Sequence, residues 1–239
     1  MTAFVGHSIC VSLNTSLGVG EPEVTDEGVW EDWCQAVPND RWNVFPTNAD
    51  AVATCTSFGC GLRIVPHNPA STEYAAAFLE STGPIRIADR TMALAVKPID
   101  APSSYAEVEL ERIITDGGGL GGDYRFRARI TADLTVSPAQ LRLRITENDS
   151  GSLITNETLD IAYDATNHRW WAFRATGTGQ IALMTAGYCQ DWTTRLSAVL
   201  DQDPLSSVDV GPFMESSGSG KEQGIFGPIY IFDTPEPAP

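Results

Sequence analysis

His168-Arg169-Trp170-Trp171-Ala172-Phe173-Arg174 is followed by Gly177-Thr178-Gly179-Gln180-Ile181-Ala182-Leu183-Met184-Thr185 and then by Asp191-Trp192-Thr193. Aromatic and branched residues suit a pleated, half-buried surface, and glycines supply the positive φ of a tight hairpin. The stretch reads as two short strands around a glycine turn, then a third strand opening on Trp192. It predicts an all-β sandwich and points to no catalytic centre. Trp170 and Trp171 are adjacent, so a regular strand sends them to opposite faces. One is expected in the core and the other outward or in a cleft, where an aromatic ring can stack on a sugar.

The rest of the chain has the same character. Alternation dominates and turn residues recur every ten or so positions, the pattern of a sandwich or barrel. Strands are expected at Ile9–Leu13, Leu62–Val65, Tyr74–Leu79, Thr91–Lys97, Ala106–Ile114, Tyr124–Ile130 and Leu141–Thr146. Others are expected at Leu153–Tyr163, Arg169–Arg174, Gln180–Met184, Thr193–Leu200, Ser207–Phe213 and Ile229–Phe232. Thr25–Trp33 and Asp201–Ser206 are places for a helical turn. The layout is an irregular N-terminal arm over 1–30, one sandwich over 31–233 and a Pro-rich tail over 234–239. The tail prolines have no N–H to donate to a sheet.

Among 239 residues, 31 acidic against 15 basic side chains give a formal charge of −16. Such a surface repels nucleic acid and anionic lipid, so no nucleic-acid partner is expected. No stretch reaches the roughly 18 apolar residues that span a bilayer, and no membrane insertion is expected. The N-terminus lacks a basic region followed by a long apolar run, so no signal peptide is read there. The expected location is a virion or an extracellular assembly reached without a signal peptide, with the cytoplasm as the alternative. Cys10, Cys34, Cys55, Cys60 and Cys189 are odd in number and scattered, which argues against a dense disulfide framework. Cys55 and Cys60 alone are close enough to be bridged across a short loop if their α-carbons approach within about 7 Å.

Three strands carry ordered charge. Glu107, Glu109 and Glu111 alternate with Val108 and Leu110; Arg125, Arg127 and Arg129 alternate with Phe126 and Ala128. Arg142 and Arg144 alternate with Leu141, Leu143 and Ile145. Each set lies on one face of its strand. A hairpin symmetric about the glycine-rich loop 116–123 places Glu111 opposite Arg127 and Glu109 opposite Arg129. The resulting polar face is either a solvated surface held by ion pairs or a surface that binds a glycan or an acidic partner through Arg125, Arg127, Arg142 and Arg144.

Other chemistry is weaker. Gly117, Gly119 and Gly122 match G-x-G-x-x-G, but a strand follows them where a dinucleotide site needs a helix. Gly218-Ser219-Gly220-Lys221 is followed by Glu222 where a phosphate loop needs Ser or Thr. No G-x-S-x-G elbow accompanies His7, His67 or His168, and no zinc ligand set is recognisable. Glu107, Glu109 and Glu111 supply the carboxylates that glycoside hydrolysis needs, although the neighbouring arginines would neutralise them. Asp116, Asp123, Asn148, Asp149, Asp164 and Asn167 fall in expected turns. Calcium favours such oxygens, but no ordered loop motif is present. No cofactor or metal is expected, with calcium left open.

Trp170-Trp171-Ala172-Phe173-Arg174, the glycine turn, the strand to Thr185 and Asp191-Trp192-Thr193 resemble the C-terminal half of concanavalin A-like lectin/glucanase sandwiches (LamG-like), of the kind found in bacteriophage and bacterial surface proteins. Leu205–Phe213 is similar to their "L-x-x-V-x-V-G-L-F" strand, and Ile225–Phe232 to their last strand. The likeness covers residues 85 to 232, with a looser echo in Trp30-Glu31-Asp32-Trp33. It departs at Gly187-Tyr188-Cys189-Gln190, which lacks the usual Asp-Gly turn, and at Phe213-Met214-Glu215. The glucanase branch carries E-x-D-x-E on its catalytic strand, where this chain has Glu109 in the middle. The resemblance implies an antiparallel jelly-roll-like sandwich. The expected function is a non-enzymatic structural or adhesion subunit of a surface-exposed particle, a bacteriophage tail or decoration protein being the leading case. Its expected partners are other particle subunits met through terminal arms, and a cell-surface glycan. The alternatives are a free-standing lectin module and a glucanase-like hydrolase. Trp170, Trp171, Arg125, Arg127, Arg142 and Arg144 are the glycan-contact candidates.

Overall fold

The computed structural model describes residues 29–56, 59–67, 74–98, 104–114, 123–177, 179–188, 191–217 and 224–233. The first strands are β1 (Val29–Glu31), β2 (Trp42–Thr47), β3 (Ala49–Thr56), β4 (Gly59–Pro66), β5 (Tyr74–Ser81) and β6 (Arg90–Pro98). β7 (Ser104–Ile114), β8 (Tyr124–Asp133), β9 (Gln140–Asp149) and β10 (Ser152–Ala162) are consecutive antiparallel neighbours. β11 (Trp170–Thr176), β12 (Gln180–Ala186), β13 (Thr193–Val199), β14 (Asp209–Ser217), β15 (Gly224–Phe226) and β16 (Ile229–Asp233) complete the set.

Two antiparallel sheets result. The nine-stranded sheet runs β13-β12-β11-β6-β15-β4-β3, with β16 pairing both β6 and β1. The seven-stranded sheet runs β10-β9-β8-β7-β14-β5-β2.

Alternation in the sequence decides which side chains enter the space between the sheets. Phe126, Ala128 and Ile130 of β8, Val108 and Leu110 of β7, and Leu141, Leu143 and Ile145 of β9 are fully buried. They belong to one core with Trp171 and Phe173 of β11, Leu183 of β12, and Met92 and Leu94 of β6. Each large side chain so buried contributes about 1.5–3 kcal/mol. Glu147 on β9 points inward among them and is fully buried. It accepts hydrogen bonds from the Tyr124 hydroxyl at 2.7 Å, the Thr155 hydroxyl at 3.0 Å and the backbone N–H groups of Asp201 and Gln202. This carboxylate ties the seven-stranded sheet to the segment that leaves β13.

The all-β sandwich is as expected, and Asp201–Ser206 holds a short 3-10 turn at Pro204–Ser206. Thr25–Trp33 differs: its described part contains strand β1 instead of a helical turn, because Val29 and Glu31 pair with Tyr230 and Ile229. β2 and β3 are also absent from the expected strands, and the single last strand that the resemblance implies over Ile225–Phe232 is two, β15 and β16. Ile9–Leu13, the rest of the arm and the tail lie outside the described residues. Cys55 and Cys60 are register partners on the β3–β4 ladder, and their side chains, with the bridge expected between them, lie outside what is described.

Candidate functional site

The outer face of the seven-stranded sheet gathers the charged rows. β7 and β8 pair with Glu111 opposite Arg127 and Glu109 opposite Arg129, the register expected from the symmetric loop. Glu111 Oε1 accepts from Nε of both Arg125 and Arg127 at 2.6 Å. Glu109 Oε2 lies 2.7 Å from Arg129 Nε and 3.7 Å from Arg127 Nε. Glu107 accepts from the Tyr105 and Thr131 hydroxyls at 2.6 and 2.7 Å. On the next strands, Arg142 pairs with Asp160 at 2.8 Å, and Arg144 donates to Asn156 at 3.4 Å. Arg125, Arg127, Arg142 and Arg144 therefore share one face, each held by an acidic or amide partner.

Burial has electrostatic consequences here. Glu109 is only 8% exposed, and desolvation pushes its carboxyl up to about 7 although Arg129 and Arg127 pull the other way. Burial also raises the Tyr105 hydroxyl, helped by Glu107 beside it. The same cause raises Glu80, with the charges of Asp209 and Glu111 adding to it. Asp209 is raised by burial and by Glu111, against the opposing charge of Arg112.

These carboxylates meet at a cleft. β14 places Asp209 opposite Glu111 and Gly211 opposite Glu109. Val210 between them is buried in the core, so Asp209 and Gly211 share the outer face. On β5, Ala77 and Leu79 are buried, which turns Phe78 and Glu80 outward. A cleft of about 130 Å³ opens between Phe78, Glu80, Glu109, Glu111, Asp209, Val210 and Gly211. Gly211 is its floor, and the Phe78 ring leans over it. Phe45 of edge strand β2 is 54% exposed and stacks on Phe78 with centroids 6.1 Å apart, extending the aromatic wall.

The tryptophans lie elsewhere. Trp170 and Trp171 do point to opposite faces, but neither is exposed, at 6% and 0%. Trp171 is in the central core and donates Nε1–H to the His168 carbonyl at 2.9 Å. Trp170 packs with Ala186 and Tyr230 on the far side of the nine-stranded sheet, where Trp192 and Phe232 cover it. The expectation of an outward ring at this pair is corrected: both faces of this strand are covered. The aromatic pair at the cleft is Phe45 and Phe78, on strands far in the chain from the charged rows.

Of the turn residues named for calcium, Asp116 lies outside the described residues, and Asp164 is taken up by its own turn. Asp164 Oδ1 accepts from the N–H groups of Thr166 and Asn167, and Oδ2 from the Asn167 amide at 2.7 Å. Its lone pairs hold its own turn together, and its carboxyl is lowered mainly by those backbone hydrogen bonds. Calcium takes six to eight oxygen ligands. Among the described residues no group of three or more His, Cys, Asp or Glu is arranged to hold a metal ion. His168 is nearly buried, and its Nδ1 accepts from the Asp164 N–H at 3.0 Å.

No protein-family model and no curated protein matches the chain. Solved structures do. A legume lectin-like domain from Entamoeba histolytica superposes with a TM-score of 0.56 at 9% identity, covering 81% of this chain and 90% of that one. The exoplasmic/lumenal domain of VIP36 in its Ca2+/Man2-bound form gives 0.54 at 12% identity, covering 89% and 90%. The Bacillus licheniformis beta-glucanase gives 0.51 at 10% identity, covering 87% and 98%. Likeness over nearly the whole of each chain at such low identity is likeness of fold: this chain is a concanavalin A-like β-sandwich.

Proposed function

We propose that the chain is a non-enzymatic carbohydrate-binding module whose contact surface is the outer face of the seven-stranded sheet, centred on the cleft above Gly211. The observation that carries this reading is the aromatic wall of Phe78 beside the carboxylates of Glu80, Glu109, Glu111 and Asp209. A pyranose ring has an apolar face for an aromatic ring and hydroxyls that donate to carboxylates. VIP36 in its Ca2+/Man2-bound form and the beta-glucanase share the fold, which supports a sugar ligand for this chain. The test is a glycan array followed by calorimetry on the strongest ligand. Phe78→Ala is expected to weaken binding tenfold or more while the chain stays folded. Binding unaffected by Phe78→Ala would remove the cleft from the reading.

The non-enzymatic part rests on the ion pairs. Glu111 is engaged by two guanidinium groups and Glu109 by Arg129, so neither carboxylate is free to attack an anomeric carbon. One observation favours hydrolysis as a second reading. Glu109, pushed up to about 7, sits beside Glu111, and glycosidases combine such a proton donor with an ionised partner. Release of reducing sugar from a β-glucan, abolished by Glu109→Gln, would decide for the hydrolase.

We further propose that the module works as a structural or adhesion subunit of a surface-exposed particle such as a bacteriophage virion. This finer reading is supported only by the acidic composition and the sequence of the arms. A native mass of one 25.8 kDa chain by analytical ultracentrifugation would count against it.

A further inference from the structure

The two sheets differ in their outer faces. The seven-stranded sheet carries its charged rows there, whereas β6, β11 and β12 of the nine-stranded sheet read as nearly continuous apolar runs, the pattern of strands covered on both sides. Met92, Leu94, Trp171, Phe173 and Leu183 take the core positions of these strands, so the residues between them point outward. Register then lays Met184, Ala172, Ala93, Tyr230 and Val29 in one row across β12, β11, β6, β16 and β1. The first four are at most 3% exposed. The adjoining row runs through Ala182, Arg174, Thr91 and Phe232. Trp192 and Phe232 pack over these small residues and are themselves only half-buried. Monomeric proteins rarely leave so broad an apolar band to water.

The path of the chain and the charge on this face identify the cover. Val29, the first described residue, is the last member of the apolar row. β1 runs antiparallel to β16, with Glu31 at Ile229 and Val29 at Tyr230, so the chain before Val29 arrives from the Phe232 side. Arg174 lies in the row of Phe232 and is half-buried. Its Nε is sealed from solvent without a hydrogen-bond partner, and among the described residues it is in no ion pair. Residues 1–28 match such a surface. Glu21, Glu23, Asp26 and Glu27 stand just before Val29, the segment holds no Lys or Arg, and Ile9, Val11 and Leu13 alternate farther back. Residues 14–28 can span roughly 50 Å when extended, against about 20 Å for the strand spacings from β1 to β12. A second copy fits less well, because an isologous contact brings the same cations, Arg174 and the exposed Lys97, together from both chains.

We propose that the outer face of the nine-stranded sheet is the docking surface for the chain's own residues 1–28, with residues 9–13 over the row from Met184 to Tyr230 and the carboxylates of residues 21–27 directed to Arg174. The arm then serves its own sheet and not a neighbouring subunit. The carbohydrate cleft lies on the opposite sheet, so neither proposal depends on the other.

The test uses the full chain with a benzophenone amino acid in place of Val11. Irradiation is expected to join that position to Met184, Trp192 or Phe232 of the same chain, read by peptide mapping, with the mass of a single chain kept on a denaturing gel. Glutamyl endopeptidase supplies the second measurement, since it cuts after Glu21, Glu23 and Glu27. Arg174→Glu and Phe232→Ser are each expected to speed that cleavage tenfold or more while the cooperative unfolding transition is retained. Leu153→Ser, which removes an exposed apolar side chain from β10 of the other sheet, is expected to change the rate less than twofold. Crosslinks between two chains would give the face to a second copy and overturn the proposal. Crosslinks confined to residues off this face, or equal cleavage of wild type and Arg174→Glu, would overturn it as well.

Discussion

The ring of Phe78 occupies the space that a side chain at Gly211 would need. A β-carbon built at Gly211 meets Phe78 Cε2 at 2.7 Å, Cζ at 3.0 Å and the Leu79 carbonyl oxygen at 3.1 Å. Gly211→Ala must therefore displace the ring or push β14 away from β5. Overpacking of this kind costs about 1–3 kcal/mol. The double variant with Phe78→Ala is expected to recover part of that loss, because the ring is the main obstacle. Denaturant unfolding of the two single variants and the double variant checks it. Strict additivity would show that the Leu79 carbonyl is the real barrier.

Glu109 links pH to stability. Its carboxyl is raised by burial to about 7, against the ordinary 4.5, with Arg129 and Arg127 opposing and Glu111 and Glu107 adding to the rise. The folded protein therefore holds this proton more tightly than the unfolded chain does. The group's contribution to stability is complete below pH 4.5 and is lost as pH rises through about 7. Glu109→Gln removes that slope. Unfolding free energies of wild type and variant, measured from pH 4.5 to 8, should diverge in this sense, with the variant gaining relative stability at the alkaline end. A parallel pH dependence in both would end the assignment.

Glu147 should be among the most costly polar side chains to remove. Glu147→Ala strands the Tyr124 hydroxyl and the N–H groups of Asp201 and Gln202. Each unsatisfied buried group costs about 1–3 kcal/mol, so a loss of about 3 kcal/mol or more is expected in chemical denaturation. Hydrogen exchange at Asp201 and Gln202 should accelerate in the variant even below the unfolding transition.

The ion pairs of the outer face are a weaker matter. Glu111 and Arg127 are 22% and 27% exposed, so solvent screens them. A double-mutant cycle with Glu111→Gln and Arg127→Gln is expected to return about 0.2–1 kcal/mol of coupling, falling as salt is raised. Coupling that does not respond to salt would mean that the pair is sealed from solvent.

What the sequence disclosed follows from locality. The β7–β8 register was legible because the two strands are joined by one loop, and a symmetric hairpin leaves a single pairing of Glu111 with Arg127. Trp170 and Trp171 were rightly divided between faces, since alternation is a property of one strand. Their burial was not legible, because it depends on Trp192 and Phe232 arriving from β13's approach and β16. The cleft was invisible for the same reason. Phe78 and Gly211 are brought together by β5 and β14, and nothing in Tyr74–Ser81 announces β14 as its neighbour. β2 escaped notice because Pro46 interrupts its pattern, as edge strands tolerate. β3 was missed because Ala49–Thr56 is rich in alanine, a poor strand former.

β14 is inserted between β7 and β5, and β15 between β6 and β4, so strands formed within the last thirty or so described residues sit in the middle of both sheets. During synthesis each sheet is split down its centre until residues beyond 209 have left the ribosome. The earlier strands must wait as separate ribbons with unpaired inner edges, and non-local closure of that kind is slow and exposed to misassociation. The cleft above Gly211 needs β14 seated between β7 and β5, so it forms only with that closure, and folding rate and binding competence should be set by the same late event.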